Sequence, residues 1–226
     1  MNSVPTENHR TRVAAERRER TRARLLQGAL QVFSEKGPGA AVIDDVIALA
    51  GMSRGSFYNY FRTNEELLQA VSTEIGNELL RIIDPVVQQR EDMVARMACG
   101  TRLLLHTARK YPLLGTFLAR LAWPAAAPHL QGIQFLGRDL QAGIEQGQFD
   151  CEIRIGIDLV MGTMFSAASS LAFEPLPDVY PEAMVKALLK GLGVKEQAAV
   201  KAVAAPLPDV TLEENSILLG ALVRKT

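Results

Sequence analysis

The chain has 226 residues, with 25 basic and 25 acidic side chains and a formal net charge of zero. Apolar residues make up 48% and charged residues 22%, a balance that excludes a disordered chain and suffices for a real core. Two cysteines, Cys99 and Cys151, are too few for a disulfide scaffold or a four-ligand zinc site.

Zero net charge argues at first against a nucleic-acid binder, but the charge is unevenly placed. Residues 1–62 hold ten Lys/Arg against six Asp/Glu, and residues 63–226 hold fifteen against nineteen. The front therefore carries +4 and the remainder −4, and seven arginines fall between Arg10 and Arg24. Such asymmetry points to an anionic partner for the front. Taken alone, an arginine run is more often a solvated tail. No apolar stretch in the first thirty residues resembles a secretory signal, and Glu7, Glu16 and Glu19 are unlike a transit peptide. The longest charge-free apolar run, residues 159–173, is fifteen residues, short of the roughly 20 a membrane helix needs. The expectation is a cytoplasmic protein without a membrane partner.

In chain order, the hydrophobic spacing is helical nearly everywhere. Leu25, Leu26, Ala29, Leu30, Val32 and Phe33 form a 3.6-period stripe over residues 21–33. The run Lys36-Gly37-Pro38-Gly39 stops that helix. A short helix is predicted over residues 43–50, with Asp44 and Asp45 in its first turn and Gly51 ending it. Ser53 suits the N-cap of a third helix running to about Tyr60. Thr63-Asn64-Glu65-Glu66 reads as a capping box, followed by the stripe Leu67, Leu68, Val71 and Ile75 of a long fourth helix. Further helices are predicted near 92–110, 112–122, 127–146, 152–173, 178–191 and 195–204. Residues 205–226 read as an extra helix or a loose tail. With no period-two alternation and no internal repeat, the fold class is all-α.

Two short helices joined at a glycine, with a supporting helix before them, are the parts of a helix-turn-helix. Val46, Ile47, Leu49 and Ala50 supply the inward side of one helix, and Phe57 and Phe61 that of the other. Short polar residues at the front of the second helix allow close approach to a major groove. Arg54 suits a two-pronged contact to guanine, Gly55 admits close backbone approach beside Ser56, and the hydroxyls of Tyr58 and Tyr60 suit phosphates.

These residues carry a resemblance. The string from Leu25-Leu26 to Phe33, then Lys36-Gly37, then the unbroken run from Asp45 to Phe61, then Glu65-Glu66-Leu67-Leu68, resembles the DNA-binding domain of the TetR family of bacterial transcriptional regulators. It covers residues 21–75, about a quarter of the chain. The resemblance implies a homodimer that binds a near-palindromic operator, usually a repressor released by a small-molecule effector held in a variable carboxy-terminal domain. It implies no cofactor and no enzymatic activity. An activator or a ligand-independent regulator of the same fold is the alternative. Carried over position by position, it marks Arg54, Gly55, Ser56, Tyr58, Asn59, Tyr60 and Asn64 as DNA-facing. Two departures stand out. Val42 occupies a place where the family often has a capping Ser or Thr, for which Asp44 or Asp45 compensate in part. Asn64 stands where a lysine is common, so Arg62 or the amino-terminal arginines take over its charge.

The implied organisation is a basic arm over residues 1–19, a three-helix helix-turn-helix domain over 20–80, and a helical effector-binding and dimerisation domain over 81–226. Attached to a DNA-reading domain, the arm gains a role in tracking phosphate or entering a minor groove. Within the last domain, residues 155–173 are apolar on most of their circumference and so must be buried on several sides. Gly156, Gly162, Ala167 and Ser170, with Ala183, Ala187, Leu188 and Leu189, form a plausible dimer face. An effector pocket is expected among Met97, Leu103, Leu104, Leu118 and Phe135, with Arg102, His106, Tyr111, Phe117 and Trp123 as the ligand-contacting set.

Three patterns lead nowhere. Gly51-Met52-Ser53-Arg54-Gly55 matches the spacing of a hydrolase nucleophile elbow, but that chemistry needs a strand before the serine. His9, His106 and His129 are too far apart to suggest a metal site. Cys99 and Cys151 read as buried inert thiols, with Arg102 and Arg154 as their nearest cationic candidates.

Overall fold

The computed structural model describes residues 6–39, 42–121 and 132–219. Ten helices lie among them. They are α1 (Thr6–Lys36), α2 (Ile43–Ala50), α3 (Arg54–Tyr58), α4 (Asn64–Val87), α5 (Met93–Lys110), α6 (Pro112–Arg120), α7 (Gly132–Glu145), α8 (Ile153–Phe173), α9 (Tyr180–Gly191) and α10 (Glu196–Ala204). No strand occurs among the described residues, as the all-α expectation requires.

Helix α1 begins at Thr6 rather than Thr21. From Thr6 to Gln27 there is neither glycine nor proline, and alanine, arginine and glutamate are good helix formers. Arg12 and Glu16, one turn apart, pair at 3.7 Å. The described part of the basic arm is thus a solvent-exposed extension of the first helix.

One apolar core runs from the front of the chain into its rear. Leu25, Leu26, Leu30 and Phe33 of α1, Val46 of α2, Phe57 of α3 and Leu67 and Val71 of α4 are almost completely buried together. Leu114 and Phe117 of α6 and Ala168 of α8 belong to the same core. Helix α6 therefore lies between α1 and α8, its two main packing partners, and also touches α5. The boundary expected at residue 80 falls inside α4, which enters both regions.

A second core gathers Met97, Ala98 and Leu105 of α5, Leu140 of α7, Val160 and Met164 of α8, and Val185, Leu188 and Leu189 of α9. Helix α8 packs on α5, α6, α7 and α9. Its length and composition would let it cross a membrane, yet Gly156, Val160, Met164, Ala167 and Ala168 are buried against those neighbours. Close packing requires small residues there: a Cβ on Gly156 would sit 3.2 Å from the Cys151 sulfur.

The illegible tail has a defined course as far as Leu219. Leu212, Ile217 and Leu218 are buried in the first core, beside α1 and α4 side chains. The carboxylate of Glu78 on α4 accepts hydrogen bonds from the Ser216 hydroxyl at 2.6 Å and the Ile217 amide at 2.8 Å. Burial pushes the Glu78 pKa up, while the two hydrogen bonds oppose that rise. This segment is a strap across the long helix, closed by a buried polar contact.

Candidate nucleic-acid interface and effector cavity

The turn between α2 and α3 depends on Gly51. It sits at φ 62°, ψ 46°, and the Gly51 and Met52 amides bond back to the Ala48 and Ile47 carbonyls. That left-handed cap closes α2 with its last carbonyls satisfied, a geometry glycine adopts without a Cβ penalty. Arg24 of α1 donates to the Ala50 carbonyl at the same corner. Ser53 then starts α3, its hydroxyl accepting from the Ser56 amide at 3.2 Å.

Phe57 is fully buried and Phe61 nearly so. These anchors turn the opposite face of α3 outward, so Arg54, Gly55, Tyr58 and Asn59 are exposed. A Cβ on Gly55 would meet nothing within 4 Å, so its bareness is not required by packing within the chain. Tyr58 is 48% exposed. Tyr60 is half-buried, with the Arg18 guanidinium 5.8 Å from its ring centre. Arg62 is exposed.

Two expected contacts have partners inside the chain. Arg54 donates to both carboxylate oxygens of Asp44, at 2.6 and 2.9 Å. Asn64 points inward, its amide donating to the Pro38 carbonyl at 2.7 Å. It ties α4 to the loop after α1 instead of presenting a side chain outward. Val42 makes no side-chain cap on α2 and is buried in the core. Asp44 and Asp45 do not cap either: the described bonds of Asp45 go to Lys36, at 2.8 Å, and those of Asp44 to Arg54. At α4 Thr63 caps as expected, accepting from the Glu66 amide at 3.1 Å, while Glu66 reaches back one residue further than a capping box requires, accepting from the Arg62 amide at 2.7 Å.

The helical arm and α3 enclose an open groove of about 1060 Å³. Arg17, Arg18 and Arg24 line one side, and Ser56, Asn59 and Tyr60 the other. It is a concave basic surface continuous with the exposed face of α3.

In the rear, a partly open cavity of about 240 Å³ is lined by residues of α4, α5, α6, α7 and α8. Met97, Leu104, Leu118 and Phe135, expected around a pocket, do line it. Leu103 instead joins a small separate core with Val87 and Cys99. The four described members of the expected ligand-contacting set are also elsewhere. Arg102 and His106 face the other side of α5, where both bond Glu182 of α9, His106 at 2.8 Å. Arg102 also donates to the Ala205 carbonyl at 2.8 Å. These partners hold the Glu182 pKa down against the opposing effect of its partial burial. Phe117 belongs to the first core and Tyr111 packs against it, because α6 turns its apolar face toward α1. Trp123 and His129 lie outside the described residues. What the sequence reading missed is the contribution of α4: Leu79, Leu80, Ile83 and Asp84 form one wall.

Burial, and then the neighbouring Asp150, push the Cys151 thiol up, which disfavours the reactive thiolate. Cys99 is buried and free. No group of three or more potential metal-binding side chains occurs among the described residues.

Comparison with known proteins bears on both regions. Residues 25–71 match the model for bacterial regulatory proteins of the tetR family. A transcriptional repressor of Mycobacterium tuberculosis is 35% identical over 66 residues, 29% of this chain and 35% of its own. The regulator TtgR of Pseudomonas putida is 31% identical over 93 residues, 40% of this chain and 42% of its own. The chain thus spans less than half the length of these curated relatives. The solved structure of RolR in complex with resorcinol reaches further. It is 28% identical and covers 87% of this chain and 100% of its own, with a TM-score of 0.69.

Proposed function

We propose that the chain, which matches the model for bacterial regulatory proteins of the tetR family over residues 25–71, is a sequence-specific DNA-binding regulator that acts as a homodimeric repressor released by a small molecule. The observation that carries this reading is the outward face of α3. Two buried phenylalanines and a capped start present Arg54, Gly55, Ser56, Tyr58 and Asn59 together, on a helix small enough to enter a major groove. The groove beside the arginine-bearing arm gives a path for the adjoining phosphate backbone. Arg62 is exposed for the same role, whereas Asn64 acts from within the fold.

A dimer places two such helices about one helical turn apart, roughly 34–36 Å, on a near-palindrome. The paired surface is the outer face of α8 and α9. Of the residues expected there, Gly156, Ala167, Leu188 and Leu189 are buried inside the subunit. Gly162, Ala183 and Ala187 are exposed, joined by the exposed apolar residues Ile155, Phe173 and Val179. Small side chains flanked by apolar ones suit close helix approach between subunits.

The effector occupies the rear cavity. RolR holds resorcinol, and a single substituted ring is of the right size for about 240 Å³. Since α4 lines the cavity and also enters the core beneath α3, a ligand that favours one position of α4 shifts the spacing of the two reading heads. The shift is bounded by the ligand's differential affinity for the two states.

The test is gel retardation with DNA flanking the protein's own gene, at several salt concentrations. Sequence-specific retention that weakens steeply with salt, and release by millimolar resorcinol, is the expected result. Retention of competitor DNA with equal affinity refutes the regulator. Loss of the gene should raise target expression; a fall identifies an activator instead. Ala187→Glu should yield a monomer by light scattering and abolish retention.

A further inference from the structure

Resting on the reading of the chain as a homodimeric DNA binder, we propose that residues 205–219 brace α4 on the side facing away from the cavity, and thereby fix the spacing at which paired subunits hold their reading heads. The segment is anchored in both regions. At its start the Ala205 carbonyl accepts from Arg102 of α5 at 2.8 Å. Leu207 and Val210 then pack against Val87 at the end of α4 and against Cys99 and Leu103 of α5. At its far end Leu212, Ile217 and Leu218 are buried in the core that also holds Phe57 of α3. The chain therefore leaves the rear, crosses α4 and finishes in the front.

Helical spacing separates the two faces of α4. Gly76, Leu80, Ile83 and Val87 recur every three or four residues and line the cavity. Glu74, Glu78 and Arg81 recur likewise but two residues out of step, which at about 3.6 residues per turn is the opposite side. There Glu78 holds the strap with both oxygens: Oε2 accepts from the Ser216 hydroxyl at 2.6 Å and Oε1 from the Ile217 amide at 2.8 Å. Ser216 is fixed in turn, its oxygen accepting from the Leu218 amide at 3.1 Å. Arg81 pairs with Glu213 at 3.8 Å and with Glu74 at 3.9 Å, and Glu74 pairs with Arg22 of α1 at 3.6 Å. A row of charges thus runs from the strap over α4 to α1.

Apolar burial is non-directional, so Leu212, Ile217 and Leu218 alone would hold the strap without fixing its register. Filling a core also needs no carboxylate, whose burial is costly unless its hydrogen bonds are made. Bonds from two consecutive residues to the two oxygens of one carboxylate do fix a single register. The lever they control is long. Glu78 lies fourteen residues from Asn64, about 21 Å along the helix, so a tilt of about 5° there swings the start of α4 by about 2 Å. Opposed swings in two subunits total about 4 Å, more than the roughly 3.4 Å rise of one base pair. A few degrees of freedom in α4 therefore decide whether both heads meet their grooves.

The test uses the full-length protein and two readouts. Spin labels on Glu65→Cys, an exposed position at the start of α4, in a Cys151→Ser background report the distance between the two front regions by pulsed electron paramagnetic resonance. The distribution should be narrow with the strap intact, broader in Ser216→Ala, and slightly broader in Glu213→Lys, which breaks only the exposed pair with Arg81. Gel retardation then compares the operator mapped beside the gene with versions lengthened or shortened by one base pair between the half-sites. A hydrogen bond to a charged group is worth about 10-fold, so preference for the native spacing should fall by up to about 10-fold in Ser216→Ala. Unchanged widths and unchanged spacing preference in both variants overturn the proposal. So does an equal loss at every spacing, which makes the strap a mere stabiliser, or an equal gain, which makes it a latch for a conformation that DNA does not use. If Ser216→Ala loses wild-type circular dichroism, Glu213→Lys decides. Broadened distances without specific retention by any of the proteins support the brace on α4 and refute the DNA-binding reading, whereas a monomer in solution overturns both.

Discussion

In the front of the molecule the reading residues stand on two helices of eight and five residues, separated by one turn. In the rear the cavity draws its walls from five helices scattered between Gly76 and Phe165. Each helix of the front carries its own instructions: an αL glycine, a serine cap, a buried phenylalanine. The helices of the rear have caps of their own, Thr63 for α4 and Asp92 for α5, but those caps do not say which faces meet at the cavity. What α4 offers to the cavity depends on where α7 and α8 come to rest against it. Local codes fix the geometry of a reading head, whereas a ligand site made by assembly is set by packing and is free to vary with small changes of shape.

The sharpest way to break this contrast is to empty the anchor beneath α3. Phe57→Ala removes a fully buried ring, and truncations of that kind cost about 3–5 kcal/mol. The core is continuous from α1 to α6, so chemical denaturation should show one transition moved to lower denaturant, with DNA retention lost. A variant that lost retention at unchanged stability would mean that the front is anchored independently of this ring. Next in size is Arg54→Ala. If Arg54 reads a guanine, operator affinity should fall by about 1–3 kcal/mol with relaxed discrimination at one base pair. A uniform loss across all sequences, with a smaller salt slope, would reassign it to phosphate.

These two residues also mark what could be read before the fold was known. Gly51, Ser53 and Thr63 act through neighbours no more than four residues away, and spacing alone placed them, as the helical period placed Phe57 on an inward face. Arg102 and His106 were expected at a ligand because they are polar residues in an apolar stretch. They instead bond Glu182, roughly 80 residues on, a partner that only the packing of α5 on α9 supplies. Asp84 was overlooked for the converse reason. It precedes Pro85 at the end of a long helix, where a charged residue suggests nothing more than an exposed terminus. The course of residues 205–219 was equally hidden, since Leu212, Ile217 and Leu218 follow no helical period and are buried by fitting the front's core.

The strap gives a smaller and more specific effect. Glu78 is raised above its ordinary value of 4.5 chiefly by burial. A carboxyl whose folded pKa is raised binds its proton more tightly when folded, so its contribution to stability is fullest at low pH. It declines as pH rises from the unfolded value through the raised one, and is constant above that. Glu78→Gln keeps an acceptor for the Ile217 amide and cannot ionise. The variant should therefore gain stability relative to wild type as pH climbs above about 4.5. Equal pH profiles for the two proteins would show that Glu78 is not desolvated in solution, and that the strap stands open.

The smallest effect tests how the reading head waits for DNA. Arg54 and Asp44 are 63% and 73% exposed, so their pair contributes at most about 0.2–1 kcal/mol and is weakened by salt. Asp44→Asn should leave thermal stability nearly unchanged. Its consequence for binding depends on what the pair is for. If Arg54 must leave Asp44 to reach a base, losing the carboxylate frees the guanidinium and removes one negative charge from a surface that faces phosphate. Operator affinity should then rise several-fold at low salt, and the gain should shrink as salt screens the pair in wild type. If Asp44 instead stays bound and aims Arg54 at its base, the same substitution lowers affinity and blurs discrimination at that base pair. The sign of the change at low salt decides between a latch and a buttress, and the first is favoured because so exposed a pair exchanges partners with little loss.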